Sequence, residues 1–402
     1  MSKLSIAISP KLVSALFFLL SAIIGGQTWA GPVCSTSVSP YATSCDASGI
    51  TWSTGPLTIN EGVIVSNELT VSNTSSAFIN NGSIIATGNY GLNISGITSA
   101  TNNGVIRGAF AAIQGAANTF VNNGTVSGGP YGYFNNAGVI TSFTNTSQIT
   151  GTSSSIANTG TISLLNNSGT LTGAIGNSGT IDVFTNSGSL VGNLYNNRTV
   201  NTFTNTGSMS GLISLDSEMN TPTLGTLNNS GSITGSGGTA ITVSGLSSGT
   251  GITEINNTGS ITGVIYIANM IGGTGIATLN NTGSIVGVIY VINMFGGTGI
   301  ATLNNLQGAS TSALTYSGQL PTFYNIIVSS TTNFGKLSVT SASGAMTFGI
   351  SSLSTANSSI LNATLSSALS GISAANLVNT SGTSNGYTFA LTQTTPTSGI
   401  WN

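Results

Sequence analysis

Residues 158–176 read NTGTISLLNNSGTLTGAIG, 177–195 read NSGTIDVFTNSGSLVGNLY and 196–214 read NNRTVNTFTNTGSMSGLIS. Set one beneath another, these 19-residue lines fall into columns. Asn158, Asn177 and Asn196 align, as do Asn167, Asn186 and Asn205. Apolar residues keep columns of their own: Ile162, Ile181 and Val200; Leu165, Phe184 and Phe203; Leu171, Leu190 and Met209; Ile175, Leu194 and Ile213. Gly173, Gly192 and Gly211 complete the set. A repeat of this kind constrains the fold more strongly than any local preference. Runs such as GTLTG and SITGVIYI are alternating or β-branched and read as strands. The Asn-x-Gly triplets between them carry turn chemistry, because glycine, and less readily asparagine, accepts positive φ. Strand and turn repeated in register predict an all-β chain, a right-handed parallel β-helix. Its coils would stack at about 4.7–4.8 Å, with apolar columns inside. Stacked asparagines would form amide ladders along the axis, each bond contributing about 1 kcal/mol. The glycine density excludes a helical repeat. Collagen is excluded because glycine does not fall at every third position.

The phrase recurs outward in both directions, as FINNGSI at 78–84, FVNNGTV at 120–126 and INNTGSI at 255–261. Residues 255–278 and 279–302 match at 19 of 24 positions, which reads as an internal duplication with a longer coil. The β-helix is therefore expected over 76–320, in coils of 19 to 24 residues. An uncapped solenoid exposes strand edges, so 31–75 and 321–402 are expected as N- and C-terminal caps. Before them, Lys3 and Lys11, the apolar run 12–24 and the small-residue site at Ala30 read as a signal peptide over 1–30. Cys34 and Cys45 follow at once, the only two cysteines, and an exported chain would join them as a disulfide loop.

Charge narrows the functions. The chain has 402 residues, of which five are Lys or Arg, seven are Asp or Glu and none is His. A Ser-His-Asp triad and a His-ligated metal are excluded, and no cofactor is called for. Beyond the leader the basic residues are Arg107, Arg198 and Lys336, too few to neutralise a nucleic acid backbone. No later apolar run is long enough to span a bilayer as a helix. Glycoside hydrolysis needs two carboxyl groups flanking one bond. Asp216 and Glu218 are the nearest such pair, in an irregular excursion where solvated loop charges are the plainer reading. The GGTG segments at 272–275 and 296–299 lack the lysine and the helix of a phosphate loop. VIYIANMIGG and VIYVINMFGG read as strand buried in the tube rather than as a ligand groove.

A leader, Asn-x-Gly coils of 19 or more residues, and the stretches YNIIVSSTTNFGKLSVT (324–340) and YTFALTQTTPTSGIWN (387–402) resemble bacterial autotransporter passenger domains. The coil length also resembles that of filamentous-haemagglutinin-type adhesins. The resemblance covers most of the chain after the leader. It implies a structural adhesin without catalysis, and it makes 321–402 the junction that joins passenger to translocator. No translocator barrel pattern of ten-residue alternating strands lies within the 402 residues. The expected location is the cell surface or outer membrane, or the medium, with the periplasm the expectation where no translocator exists. Expected partners are other copies of the chain or host and bacterial surface components, glycans among them. A glycan- or ice-binding β-helix is the alternative, ahead of a polysaccharide-degrading enzyme.

Overall fold

The computed structural model describes residues 32–37, 39–72, 76–216, 221–309, 311–355, 363–395 and 398–402. The leader expected over 1–30 lies outside them. All but two of the assigned strands join one sheet, paired in parallel throughout, which winds into a solenoid of about 13 turns. Each coil has three sides. In one coil these are Thr199–Asn205, Ser208–Ser210 and Ile213–Asp216, called here faces 1, 2 and 3.

The columns legible in the sequence are the register of the ladder. Ile162 pairs with Ile181 and then Val200, while Leu165 pairs with Phe184 and then Phe203. On face 2, Leu171, Leu190 and Met209 follow one another, and on face 3 Ile175, Leu194 and Ile213 do. All point inward and are buried, so one continuous apolar core runs the length of the rod. Phe184 and Phe203 stack with centroids 4.4 Å apart and planes 6° from parallel. The 24-residue coils keep this register on faces 1 and 2. Their extra length goes into face 3 and the turn after it, where Asn269 and Asn293 take positive φ and leave Ile271 and Phe295 exposed. The preceding strands alternate. Ile265, Ile267, Ile289 and Val291 are buried, whereas Tyr266 and Tyr290 stand on the outer side. The two GGTG segments belong to this turn and the strand leaving it.

The glycines of the Asn-x-Gly phrase have a different physical reason from the one expected. Gly160, Gly169, Gly179, Gly188 and Gly207 do not have positive φ. They lie where each coil presses on the one before. A Cβ on Gly188 would meet the Gly169 carbonyl oxygen at 2.1 Å, and one on Gly207 would meet that of Gly188 at 2.2 Å. Glycine is therefore required for close approach of backbones, not for handedness of the turn.

Rung pairing also reaches beyond 76–320. It begins at Cys45, which pairs with Val65, and continues to Ser370, which pairs with Ser338. Both expected caps are thus partly solenoid. The outermost N-terminal layer is 32–37 with 39–41, held by the Cys34–Cys45 disulfide and by Tyr41, whose ring meets the buried Trp52 edge-on at 5.9 Å. At the other end an antiparallel hairpin, Ser381–Ser384 with Tyr387–Ala390, departs from the parallel pattern. Trp401 closes over the last coil, its indole N–H donating to the Ile372 carbonyl at 2.8 Å.

Burial sets the pH response of this core. It pushes the phenols of Tyr133, Tyr316, Tyr324 and Tyr41 above their ordinary value of 10.0. A raised folded-state pKa gives stability that is present below the unfolded value and is lost as pH rises through it towards the folded one. The chain has no histidine, and both cysteines are joined, so neither an imidazole nor a thiol titrates near neutrality. The thermal midpoint should therefore stay flat between about pH 6 and 9 and fall above about pH 10. A midpoint that moves by many degrees between pH 6 and 9 would contradict this.

Candidate binding face

The asparagine columns lie inside the rod. Asn167 donates its Nδ2 to Oδ1 of Asn186 at 2.7 Å, and Asn186 does the same to Asn205 at 2.8 Å. These three belong to a ladder of eleven amides that starts at Asn80 and runs through Asn102, Asn122 and Asn145. It continues through Asn229, Asn257 and Asn281 to Asn305. All eleven are buried and every amide points the same way. Ten of the eleven Nδ2 groups also reach a backbone carbonyl beyond the next turn, as Asn186 reaches Ser208 at 3.0 Å, and the eleventh, that of Asn281, reaches the Gln307 Oε1 at 3.2 Å. The ladder thereby fixes the corner between faces 1 and 2. At the C-terminal end Gln307 takes over, accepting from Asn281 and from the Ile285 N–H. At the other end the Asn80 Oδ1 has no donor.

Asn158, Asn177 and Asn196 form a second ladder, begun by Asn135, with bonds of 2.7–2.8 Å. It stops where the next coil offers Leu215, after which Val243, Ile267 and Val291 fill the same column. Sequence reading found the six asparagines within the strict 19-residue coils. It missed the others because coils of 20 to 28 residues break the spacing while keeping the register.

Face 1 turns a second set of residues outward. Thr202, Thr226, Glu254, Thr278 and Thr302 follow one another in register, and beside them run Thr204, Asn228, Asn256, Asn280 and Asn304. The outer amides are tied together along the axis. Asn256 donates to Asn228 at 3.0 Å, Asn280 to Asn256 at 2.8 Å, Asn304 to Asn280 at 2.7 Å and Asn325 to Asn304 at 2.9 Å. Glu254 is the one charged residue in these two files, and Asn280 donates to it at 3.1 Å. The result is a straight, nearly uncharged strip with a polar group at each coil spacing of about 4.7–4.8 Å.

The carboxylates are used within the surface. Asn67 and Ser48 donate to Asp46 and hold its pKa below the usual value. Asp182 accepts from Asn201 at 3.0 Å, and Asp216 accepts from Ser244 at 2.7 Å. Glu218, the expected neighbour of Asp216, lies outside the described residues. Among the described residues no three Asp, Glu, Cys or His side chains gather as a metal site. Cys34 and Cys45 are joined, and no described cysteine is free. No described helix is long and apolar enough to cross a membrane. No family model, curated protein or solved structure matches the chain.

Proposed function

We propose that this solenoid is the rod of an exported, non-catalytic adhesin, associating side by side with copies of itself through face 1. The observation that carries the reading is the double file from Thr202 to Asn304, in which one residue of ten is charged. Two such strips can lie along each other and exchange many hydrogen bonds, each contributing about 0.5–1.5 kcal/mol. Affinity then comes from repetition. Low charge leaves little repulsion to keep copies apart. The fold and the leader agree with the resemblance to autotransporter passengers, and with display on the outer membrane or release from it.

The test is sedimentation of the purified rod at tens of micromolar, across about 20–500 mM salt, a range over which screening changes strongly. Association should persist with little change. Thr278→Lys combined with Thr302→Lys should give monomers, because an unpaired ammonium buried between two strips costs several kcal/mol. Ser210→Lys combined with Thr262→Lys, on exposed positions of face 2, should leave association intact. A wild-type protein that is monomeric throughout would overturn the proposal and favour the glycan-binding alternative.

A further inference from the structure

Away from face 1, at the corner between faces 2 and 3, four aromatic rings gather on the outside of three successive coils. Tyr90 meets Phe110 at 5.9 Å, Phe110 meets Tyr131 at 5.1 Å, and Tyr131 stacks on Phe134 at 5.4 Å with planes 22° apart. Phe110 is 38% exposed, in a coat made mostly of Ser, Thr, Asn and Gly. The cluster ends sharply: on the next coil Ser154 stands under Tyr131 and Ala157 under Phe134. Nothing in the core requires these rings, since Tyr133, Phe120 and Phe143 fill the interior at this level.

Polar groups run beside the rings. Asn93, Gln114 and Phe134 occupy one outward column of face 3. Asn93 donates to the Glu68 carboxylate at 3.4 Å. The Gln114 Oε1 is out of water and has no donor. In the interior ladders such an oxygen is met by an amide on a neighbouring coil; here the coil after Gln114 presents Phe134 instead. An orphaned acceptor of this kind is costly, and a side-chain rotation that carried it out to a bound hydroxyl would relieve it.

We propose that this corner is a binding site for a neutral saccharide. A pyranose ring has an apolar C–H face, which fits against the exposed Phe110 ring and the half-buried rings beside it, and a rim of hydroxyls. The rim can donate to Glu68 and accept from Asn93 and the tyrosine hydroxyls, and a rotation of the Gln114 side chain would bring its oxygen out to a sugar hydroxyl. Ligand sites generally join an apolar floor to a few placed polar groups in this way. Glu68 and, on the coil of Phe110, Arg107 carry opposite charges near this corner, so neither an anionic nor a cationic sugar is favoured. The site is independent of side-by-side association, because it lies off face 1.

The experiment is a screen of the full chain on an array of neutral glycans, followed by titration of the best-bound one into wild type and two variants. Wild type should bind at least one neutral glycan, with affinity unchanged between about 50 and 500 mM salt. Phe110→Ala should lose about tenfold, the worth of one aromatic contact. Gln114→Leu should lose several-fold while melting no lower than wild type, an outcome that a purely structural glutamine would not give. Sedimentation of both variants should match wild type, which separates this site from face 1. No binding by wild type to any neutral glycan, or equal binding by Phe110→Ala, would overturn the proposal. So would binding lost in high salt and competed by tetramethylammonium, which would mark the rings as a cation site.

Discussion

Asn186→Asp should be the most damaging single-atom change in the rod, costing roughly 5 kcal/mol at pH 7. The side chain is buried, accepts from Asn167 and donates to Asn205 and to the Ser208 carbonyl. A carboxylate keeps the first bond and turns the others into contacts between oxygens, with its charge buried in the core. Burial raises the pKa of the new acid above its unfolded value of about 4. Stability is then fully present below that value and is lost as pH rises through the folded pKa. Protonated, the acid can donate to Asn205 again. The variant should therefore be more stable near pH 4 than near pH 8. Asn186→Ala should cost about 2–4 kcal/mol, because it removes three hydrogen bonds and leaves the buried Asn205 oxygen without a donor. That exceeds the single-bond value of the sequence reading, which did not place the ladder in the core. Because a solenoid opens in parts, urea midpoints should be joined by hydrogen exchange of amides over 180–208. Equal midpoints for Asn186→Asp at the two pH values would show that the ladder is not buried.

Phe184→Ala should cost about 3–5 kcal/mol by opening a cavity, part of it the lost stacking on Phe203. Its neighbour gives the control. Val183 is 38% exposed, and Val183→Ala should stay within about 0.5 kcal/mol. Similar losses for the two variants would mean that inside and outside are misassigned along this strand.

Much of this architecture is readable in the chain because a solenoid turns distance in sequence into contact between coils. Leu165, Phe184 and Phe203 are 19 apart, and that spacing alone places them in one column. Three things stay hidden. A glycine column looks the same whether it serves positive φ or close approach, and only the packing of Gly188 on Gly169 separates them. Likewise a period is lost wherever a turn lengthens. Thr202 and Thr302 belong to one file, yet the steps between them vary from 24 to 28 residues. The aromatic corner repeats no phrase at all. Tyr90, Phe110 and Tyr131 meet because three unlike turns happen to carry rings.

The outward strip of face 1 can be tested by a single thiol. Both native cysteines are joined, so Thr302→Cys or Thr262→Cys adds the one reactive sulfur to the rod. Under mild oxidation at tens of micromolar, Thr302→Cys should form covalent dimers at least about tenfold faster than Thr262→Cys, because association holds face 1 against face 1 and raises the local concentration of thiol. Equal rates from the two faces, or faster dimerisation through Thr262→Cys, would contradict association through face 1.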